Sequence, residues 1–347
     1  MTQQPNNILI IKPSSLGDIV LALPALSALR SSFPQARISW LVRPEFADLL
    51  RGHPDLNELI MFDRRLLGKG WYSPRAFSEF RRLIRQLRDA RFDLVFDFQG
   101  LFRTGFLAWM TGCKRRFGQA GAREFATLFY TQVVEQDYSC VHLVDYYLRM
   151  VKEAGAQTGK PDFKLPEDAS AVEAANKLLL GHNVNPEKYA VLVSCAARPE
   201  KLWPIERFAQ LTDKITEKFG FSIVAIGSRG ERPYIDKLAF SAKSRIVNLA
   251  GQTSLRELTA LLKRASLVIS NDTGPGHIAA ALGVPMVMIF GPVNPARLYP
   301  YKRPDCFVAV EPNEMRMDIE SRDPRYNINN ITVEQVWEKV CGRLRKV

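Results

Sequence analysis

Apolar runs of four or five residues, separated by polar loops and longer amphipathic stretches, recur along the whole chain. Ile8-Leu9-Ile10-Ile11 is continuously apolar and short, the pattern of a parallel strand buried on both faces. The polar loop Lys12-Pro13-Ser14-Ser15-Leu16-Gly17-Asp18 follows, and Ile19 to Leu29 reads as an amphipathic helix. Further strands are predicted at Ile38–Val42, Leu59–Phe62 and Asp93–Phe98. Pro74 opens a long helix with Phe77, Phe80, Leu83, Ile84 and Leu87 on one face and Arg81, Arg82, Arg85 and Arg88 on the other. Between Gly155 and Lys188 the rhythm breaks at Gly159, Pro161, Pro166 and Pro186, around one short helix near Ser170–Leu180. It then restarts, with strands predicted at Tyr189–Val193, Ser222–Ile226, Leu267–Ile269 and Met286–Phe290, and a closing helix from Ile331 to Leu344.

Alternating strands and helices predict parallel, doubly wound sheets. The class is α/β, with two Rossmann-like halves in tandem and no close repeat between them. The 347 residues exceed what one ordinary core supports and suit two domains. The expected division is 1–160, a connection over 161–187, 188–330, and a closing helix over 331–347. Ligands of such sheets sit outside the carboxyl ends of the strands. The loops of interest therefore follow Ile11, Val193, Ile226, Ile269 and Phe290.

Charge narrows the partners. Lys and Arg number 48 against 36 Asp and Glu, so an acidic partner is expected: nucleic acid, an anionic membrane surface or a phosphorylated substrate. The five cysteines form no CxxC pair, which argues against a zinc site and a disulfide framework and suits a reducing compartment. Met1–Asn7 is polar and Lys12 interrupts the first apolar run, unlike a signal peptide. No stretch approaches the ~20 apolar residues of a membrane span. A cytoplasmic protein is expected.

Three loops carry candidate chemistry. After Ile269 comes Ser270-Asn271-Asp272-Thr273-Gly274-Pro275-Gly276-His277, then an Ala-rich stretch ending at Gly283. Asp272 or Thr273 can cap this helix, and Pro275 suits its first turn. Free N–H groups at such an end bind phosphate; Gly274 and Gly276 would let oxygens approach, and His277 could donate a further bond. The plain alternative is a well-capped core helix. A nicotinamide or flavin fingerprint is a poor match, because Phe290-Gly291-Pro292 stands where an acidic residue belongs, ~20 positions on. In the loop after Ile11, Asp18 either completes the helix start or serves as a general base facing a cleft. Lys12, directly after a buried strand, points a cation into that cleft. After Val193, Lys201 either neutralises a diphosphate or is a solvated loop lysine, Trp203 is core packing, and Cys195 is a buried structural thiol. The four histidines form no ligand pair, so no metal is expected.

Together these segments resemble the ADP-heptose:lipopolysaccharide heptosyltransferases of glycosyltransferase family 9. The matching pieces are Ile10–Asp18, Lys201-Leu202-Trp203-Pro204, and Asn271–His277 with Phe290-Gly291-Pro292. Asp97-Phe98-Gln99-Gly100-Leu101, Ala122-Arg123-Glu124, Leu128-Phe129-Tyr130 and Arg64-Arg65 with Lys69 and Trp71 resemble the members that add the first heptose. The resemblance implies a GT-B fold, two Rossmann-like domains facing a central cleft. It implies inverting transfer from ADP-heptose to the anionic Kdo-lipid A acceptor, without a cofactor or an obligatory metal. By position, Asp18 is the general base. Lys201, Asp272, Thr273, Gly274, Gly276 and His277 belong to the donor site, and Glu231, at shifted spacing, is the adenosine contact. Lys12, Ser14, Ser15, Arg64, Arg65, Lys69 and Arg123 belong to the acceptor site. Ala196-Ala197 stand where family members often carry hydroxyls. A monomer without nucleic acid, in peripheral contact with the cytoplasmic face of the inner membrane, completes the expectation. Within the family the alternative is a heptosyltransferase II or another member with a different acceptor; the rivals from other classes are an NAD-dependent oxidoreductase built on Gly274 and Gly276, and a non-catalytic binder of anionic glycolipid.

Overall fold

The computed structural model describes residues 4–64, 73–310, 321 and 323–345. The chain divides into two compact units between Pro166 and Glu167.

In the first unit the order is β1 (Asn7–Ile11), α1 (Leu16–Ser32), β2 (Arg37–Val42), α2 (Ala47–Leu50), β3 (Glu58–Met61), α3 (Pro74–Asp89), β4 (Leu94–Asp97), α4 (Phe102–Met110), β5 (Arg116–Gln119), β6 (Gln132–Val134) and α5 (Leu143–Glu153). The strands form one parallel sheet in the order β3-β2-β1-β4-β5-β6. Strand order reverses between β1 and β4, so a crevice is expected where Ile11 and Asp97 end. One face is covered by α3 and α4, whose Leu83, Ile84, Leu87, Leu107 and Ala108 join Leu9, Ile11 and Val95 in one core. Helix α1 packs against α5. It is not amphipathic: every residue from Ile19 to Leu29 is buried, because sheet and α5 both cover it. Helix α3 begins as expected, with Ser73 Oγ accepting from the Ala76 amide at 3.3 Å and Pro74 in the first turn. Its arginines face outward. Phe77, expected in the core, is exposed, and the Arg81 guanidinium lies 5.9 Å from its ring.

The second unit holds α6 (Ala169–Gly181), β7 (Tyr189–Val193), α7 (Ile205–Phe219), β8 (Ser222–Ala225), α8 (Arg232–Ser241), β9 (Ile246–Asn248), α9 (Leu255–Arg264), β10 (Leu267–Asn271), α10 (Gly274–Ala281), β11 (Met286–Phe290), α11 (Pro295–Leu298), β12 (Phe307–Ala309) and α12 (Val333–Leu344). Its parallel sheet runs β12-β11-β10-β7-β8-β9, reversing between β7 and β10. Helix α6 packs on α9 and α12 on α7, β11 and β12, so both belong to this unit. The stretch 161–187 thus contains a structural element of the second unit. Trp203 is fully buried, edge-on to Phe208 at 4.9 Å, with its indole N–H donating to the Ile331 carbonyl at 2.9 Å. It fixes the loop after β7 to the segment that leads into α12.

Candidate functional site

Each unit gathers polar groups at its own reversal point. In the first, Asp18 occupies the third position of α1. Its Oδ2 accepts from the Ser15 amide at 3.1 Å and the Ser15 hydroxyl at 2.9 Å. The helix start favours the ionised carboxylate. Lys12 Nζ lies 3.6 Å from the same oxygen, and 31% of the Asp18 side chain remains exposed against 4% of Lys12. The lysine turns inward to donate to the Phe98 carbonyl at 3.1 Å, a carbonyl that also accepts from Gln119 Nε2 at 2.7 Å and the Tyr147 hydroxyl at 3.4 Å. Burial alone would lower the Lys12 pKa; Asp18 first, then Tyr147 and Asp97, outweigh it and hold the pKa above its ordinary value. The ammonium therefore stays charged and ties the β1 loop to the β4 loop. Gln99 reinforces the tie, its Oε1 accepting from the Ser14 amide at 3.3 Å. Asp97 is fully buried. Burial pushes its pKa up, against hydrogen bonds from Tyr130, Thr104 and the Gln99 and Gly100 amides.

In the second unit the turn after β10 is held by its own strand ends. Asn271 Nδ2 donates to the Ser194 carbonyl at 2.7 Å, and its Oδ1 accepts from the Trp203 amide at 3.3 Å. Adjacent loops are thereby clamped across the reversal between β7 and β10. Asp272 is 4% exposed and accepts from Lys201 Nζ on Oδ2 and from His277 Nε2 on Oδ1, the latter at 3.0 Å. Burial would raise its pKa, but the His277 hydrogen bond and the Lys201 charge hold it down at about 2. Thr273 is the N-cap of α10, and its side chain makes no capping bond.

Beside this helix end lies a cavity of about 280 Å³. Thr273 and Pro275 form one wall, Ile226, Gly227 and Glu231 another, and Leu258 a third. Glu231 Oε2 is taken by the Ser228 amide at 2.6 Å. Cys195 also borders the cavity, and burial, then the Glu231 charge, push its thiol up to about 12, so it stays protonated. An apolar-walled cavity at the small end of the ligand-pocket range, opening onto a helix N-terminus, can hold a nucleoside with its phosphates at the helix.

Several placements differ from expectation. Lys12 is not presented as an open cation; it is spent on Asp18 and the Phe98 carbonyl. Lys201 is not a solvated loop lysine, being paired with Asp272. Gly276 is buried, and a Cβ there would come within 2.5 Å of Ser270 Oγ and 2.9 Å of the Met288 methyl, so it serves helix–strand packing rather than phosphate approach. Gly274 remains half-exposed in the first turn. His277 bonds Asp272 through Nε2, and its buried Nδ1 has no hydrogen-bond partner among the described residues. Ser15 is exposed, Ser14 half-buried, and Arg64 and Arg123 are exposed, with the Arg123 amide on the Gly100 carbonyl at 2.9 Å. Arg65 and Lys69 lie outside the described residues. Sequence reasoning quoted Gln99 within a family segment but gave it no role, and missed Gln119 and Tyr147 around Lys12 and Leu258 at the cavity. The loop following a β4 strand end was the available signal for Gln99; nothing in the local sequence marks the others.

Two parallel Rossmann-like sheets in tandem, each with its polar loops at the reversal point, are the architecture of GT-B glycosyltransferases. Residues 80–326 match the model of glycosyltransferase family 9 (heptosyltransferase), and the chain belongs to that family. It is 26% identical to the lipopolysaccharide core heptosyltransferase OpsX of Haemophilus influenzae, over all of this chain and 98% of that protein. It is 29% identical to lipopolysaccharide heptosyltransferase 1 of Pseudomonas aeruginosa, over 85% of this chain and 81% of the relative. The solved Escherichia coli heptosyltransferase WaaC with ADP superposes with a TM-score of 0.75 at 25% identity, covering 97% of this chain and 99% of that one.

Proposed function

We propose that this glycosyltransferase moves a heptose from ADP-heptose to the Kdo-lipid A inner core, with inversion at the anomeric carbon. The observation that carries the donor assignment is the cavity beside Thr273, continuous with a helix end whose cap side chain leaves the first turn open. Adenosine fills the cavity against Ile226 and Leu258, with Glu231 toward the ribose. The diphosphate meets the first-turn amides at Gly274 and the Lys201 ammonium. Asp272 and His277 hold Lys201 in place, and Gly276 lets the helix sit close to its strand.

Asp18 is the general base, since its carboxylate stands at a helix start, which favours the ionised form, is fixed by Ser15 and is reachable. An acceptor hydroxyl oxygen forms the new bond to the anomeric carbon as the carbon–phosphate oxygen bond breaks. The electron pair leaves with ADP and the proton passes to Asp18. Lys201 and the helix end stabilise the charge that develops on the diphosphate. Ser14, Ser15, Arg64, Arg65, Lys69 and Arg123 serve the anionic acceptor, and Lys12 positions the base. Parallel assays of ADP release with Kdo-lipid A and with an already heptosylated acceptor test the reading. Release on the first alone is expected. Preference for the second would make this a later-acting heptosyltransferase, and no release on either would reject the donor.

A further inference from the structure

The outer surface of α4 carries a half-exposed aromatic cluster. Phe102, Phe106 and Trp109 lie one helical turn apart on one face, with Phe102 and Trp109 about half exposed, at 48% and 50%. Phe129, from the short helix Ala126–Phe129, stands edge-on to Phe102 at 5.2 Å and to Phe106 at 5.9 Å, and lies 6.4 Å from Trp109. Phe125 and Leu128 extend the patch, each 79% exposed. Glu124 and Phe125 both take left-handed backbone, at φ of 58° and 60°. That conformation is costly for a bulky residue, and here it holds a phenyl ring in solvent. The base is rigid: a Cβ on Gly105 would meet the Ala126 carbonyl and the Phe129 ring at 3.0 Å, so α4 and the short helix touch through backbone.

The charge around this patch is one-sided. In the sequence from Arg64 to Glu124, Lys and Arg outnumber Asp and Glu by 14 to 5, most of the chain's net +12, and Glu124, which accepts from the Phe102 amide at 3.3 Å, is the acid beside the rings. Helix α3 packs beside α4 on the same face of the sheet and turns Arg81, Arg82, Arg85 and Arg88 outward. Arg88 Nε donates to the Met110 carbonyl at 3.1 Å, joining the ends of the two helices. There, an open cavity of about 610 Å³ is bordered by Arg88, Arg91, Lys114 and Arg115, with Asp93 the lone acid.

We propose that this face of the first unit docks on an anionic phospholipid bilayer. Trp109, Phe102, Phe125 and Leu128 enter the headgroup boundary, and the α3 arginines with Lys114 and Arg115 meet lipid phosphates. Aromatic rings prefer that boundary, and basic side chains are drawn to an anionic leaflet. Rings and cations side by side match a surface that is anionic outside and apolar just beneath, as a bilayer leaflet is; a second copy of the same cationic face would repel it.

The test is flotation of the full-length protein with vesicles of phosphatidylglycerol and phosphatidylethanolamine, and with phosphatidylcholine alone. Binding to the anionic vesicles, weakened by salt, and little binding to the neutral ones is expected. The combined Trp109→Ser, Phe125→Ser and Leu128→Ser variant, and separately Arg81→Glu with Arg85→Glu, should each lower partition about tenfold or more, with melting temperature unchanged. Equal binding to neutral vesicles, or wild-type partition of both variants, overturns the proposal. So does a wild-type protein that ignores all vesicles and sediments as a dimer that the serine variant converts to monomer. The vesicles carry no sugar, so a failure here leaves the transfer reaction standing, and absence of transfer leaves this result standing.

Discussion

Each unit sets a lysine against an aspartate beside the start of a helix that follows a central strand, and the two pairs are built to different ends. In the first unit the lysine is sealed and the aspartate reachable: Lys12 is 4% exposed and Asp18 31%. In the second the aspartate is sealed at 4% and the lysine is the more exposed partner, at 18%. A carboxylate that must take a proton has to meet solvent or substrate. One gripped by a lysine and a histidine with its pKa at about 2 is a fixed negative charge. This difference in exposure supports the proposed roles, Asp18 in chemistry and Asp272 in holding Lys201, although both stand in equally polar loops.

The largest expected effect separates them by activity. Asp18→Asn keeps an oxygen for the Ser15 amide but cannot take a proton, so kcat should fall by about 10²–10⁴ while ADP affinity is retained. Turnover within about tenfold of wild type would end the base assignment. Asp272→Asn should act mainly on stability. It leaves Lys201 and His277 without their carboxylate in a nearly dry site, a loss of about 3 kcal/mol, or roughly 5–10 °C in melting temperature. If the Asp18 variant melts earlier than the Asp272 variant, the contrast between the pairs is wrong.

Acid titration sharpens the same contrast with a smaller effect. Asp272 has its pKa lowered from 3.8 to about 2. A depressed carboxylate contributes stability that is present above its unfolded pKa and is lost as pH falls through the folded one. The contribution is about 2 kcal/mol, full above about pH 4 and gone near pH 2. Urea unfolding of wild type and Asp272→Asn should show a gap at neutral pH that narrows over that window. A gap that stays constant to pH 2 would mean that Asp272 is not the titrating group.

What could be read in advance was what local pattern encodes. Ile8–Ile11, Tyr189–Val193 and Met286–Phe290 are continuous apolar runs and became central strands. Arg116–Gln119, Gln132–Val134, Ile246–Asn248 and Phe307–Ala309 were not recognised, because segments of three or four residues carry little period of their own, and the first two also hold arginine, glycine or glutamine. Their neighbours in the sheet supply the pairing. The loops of the site were legible for the same reason, since they follow strand ends. The partners within them were not. Lys201 meets Asp272 across 71 positions and Lys12 meets the Phe98 carbonyl across 86, distances over which no periodicity speaks. The cavity wall at Leu258 belongs to α9, whose sequence reads only as an amphipathic helix.

Glu231 offers the finest test, because in it a structural and a ligand role share one side chain. Its Oε2 accepts from the Ser228 amide and closes the turn Arg229–Glu231, while the residue borders the cavity with Ile226 and Gly227. Glu231→Gln preserves an acceptor for that amide, so the turn and the cavity walls should persist. What is lost is the negative charge available to a ribose hydroxyl, and a charge-assisted hydrogen bond is about twice as strong as a neutral one. The dissociation constant for ADP should therefore rise by roughly fivefold, a loss of about 1 kcal/mol, with kcat unchanged. Glu231→Ala removes the turn closure as well and should weaken ADP further. If the glutamine and alanine variants bind ADP equally and as tightly as wild type, Glu231 closes its turn and does nothing for the donor. The second unit would then hold its nucleotide by the cavity walls and the α10 helix end alone.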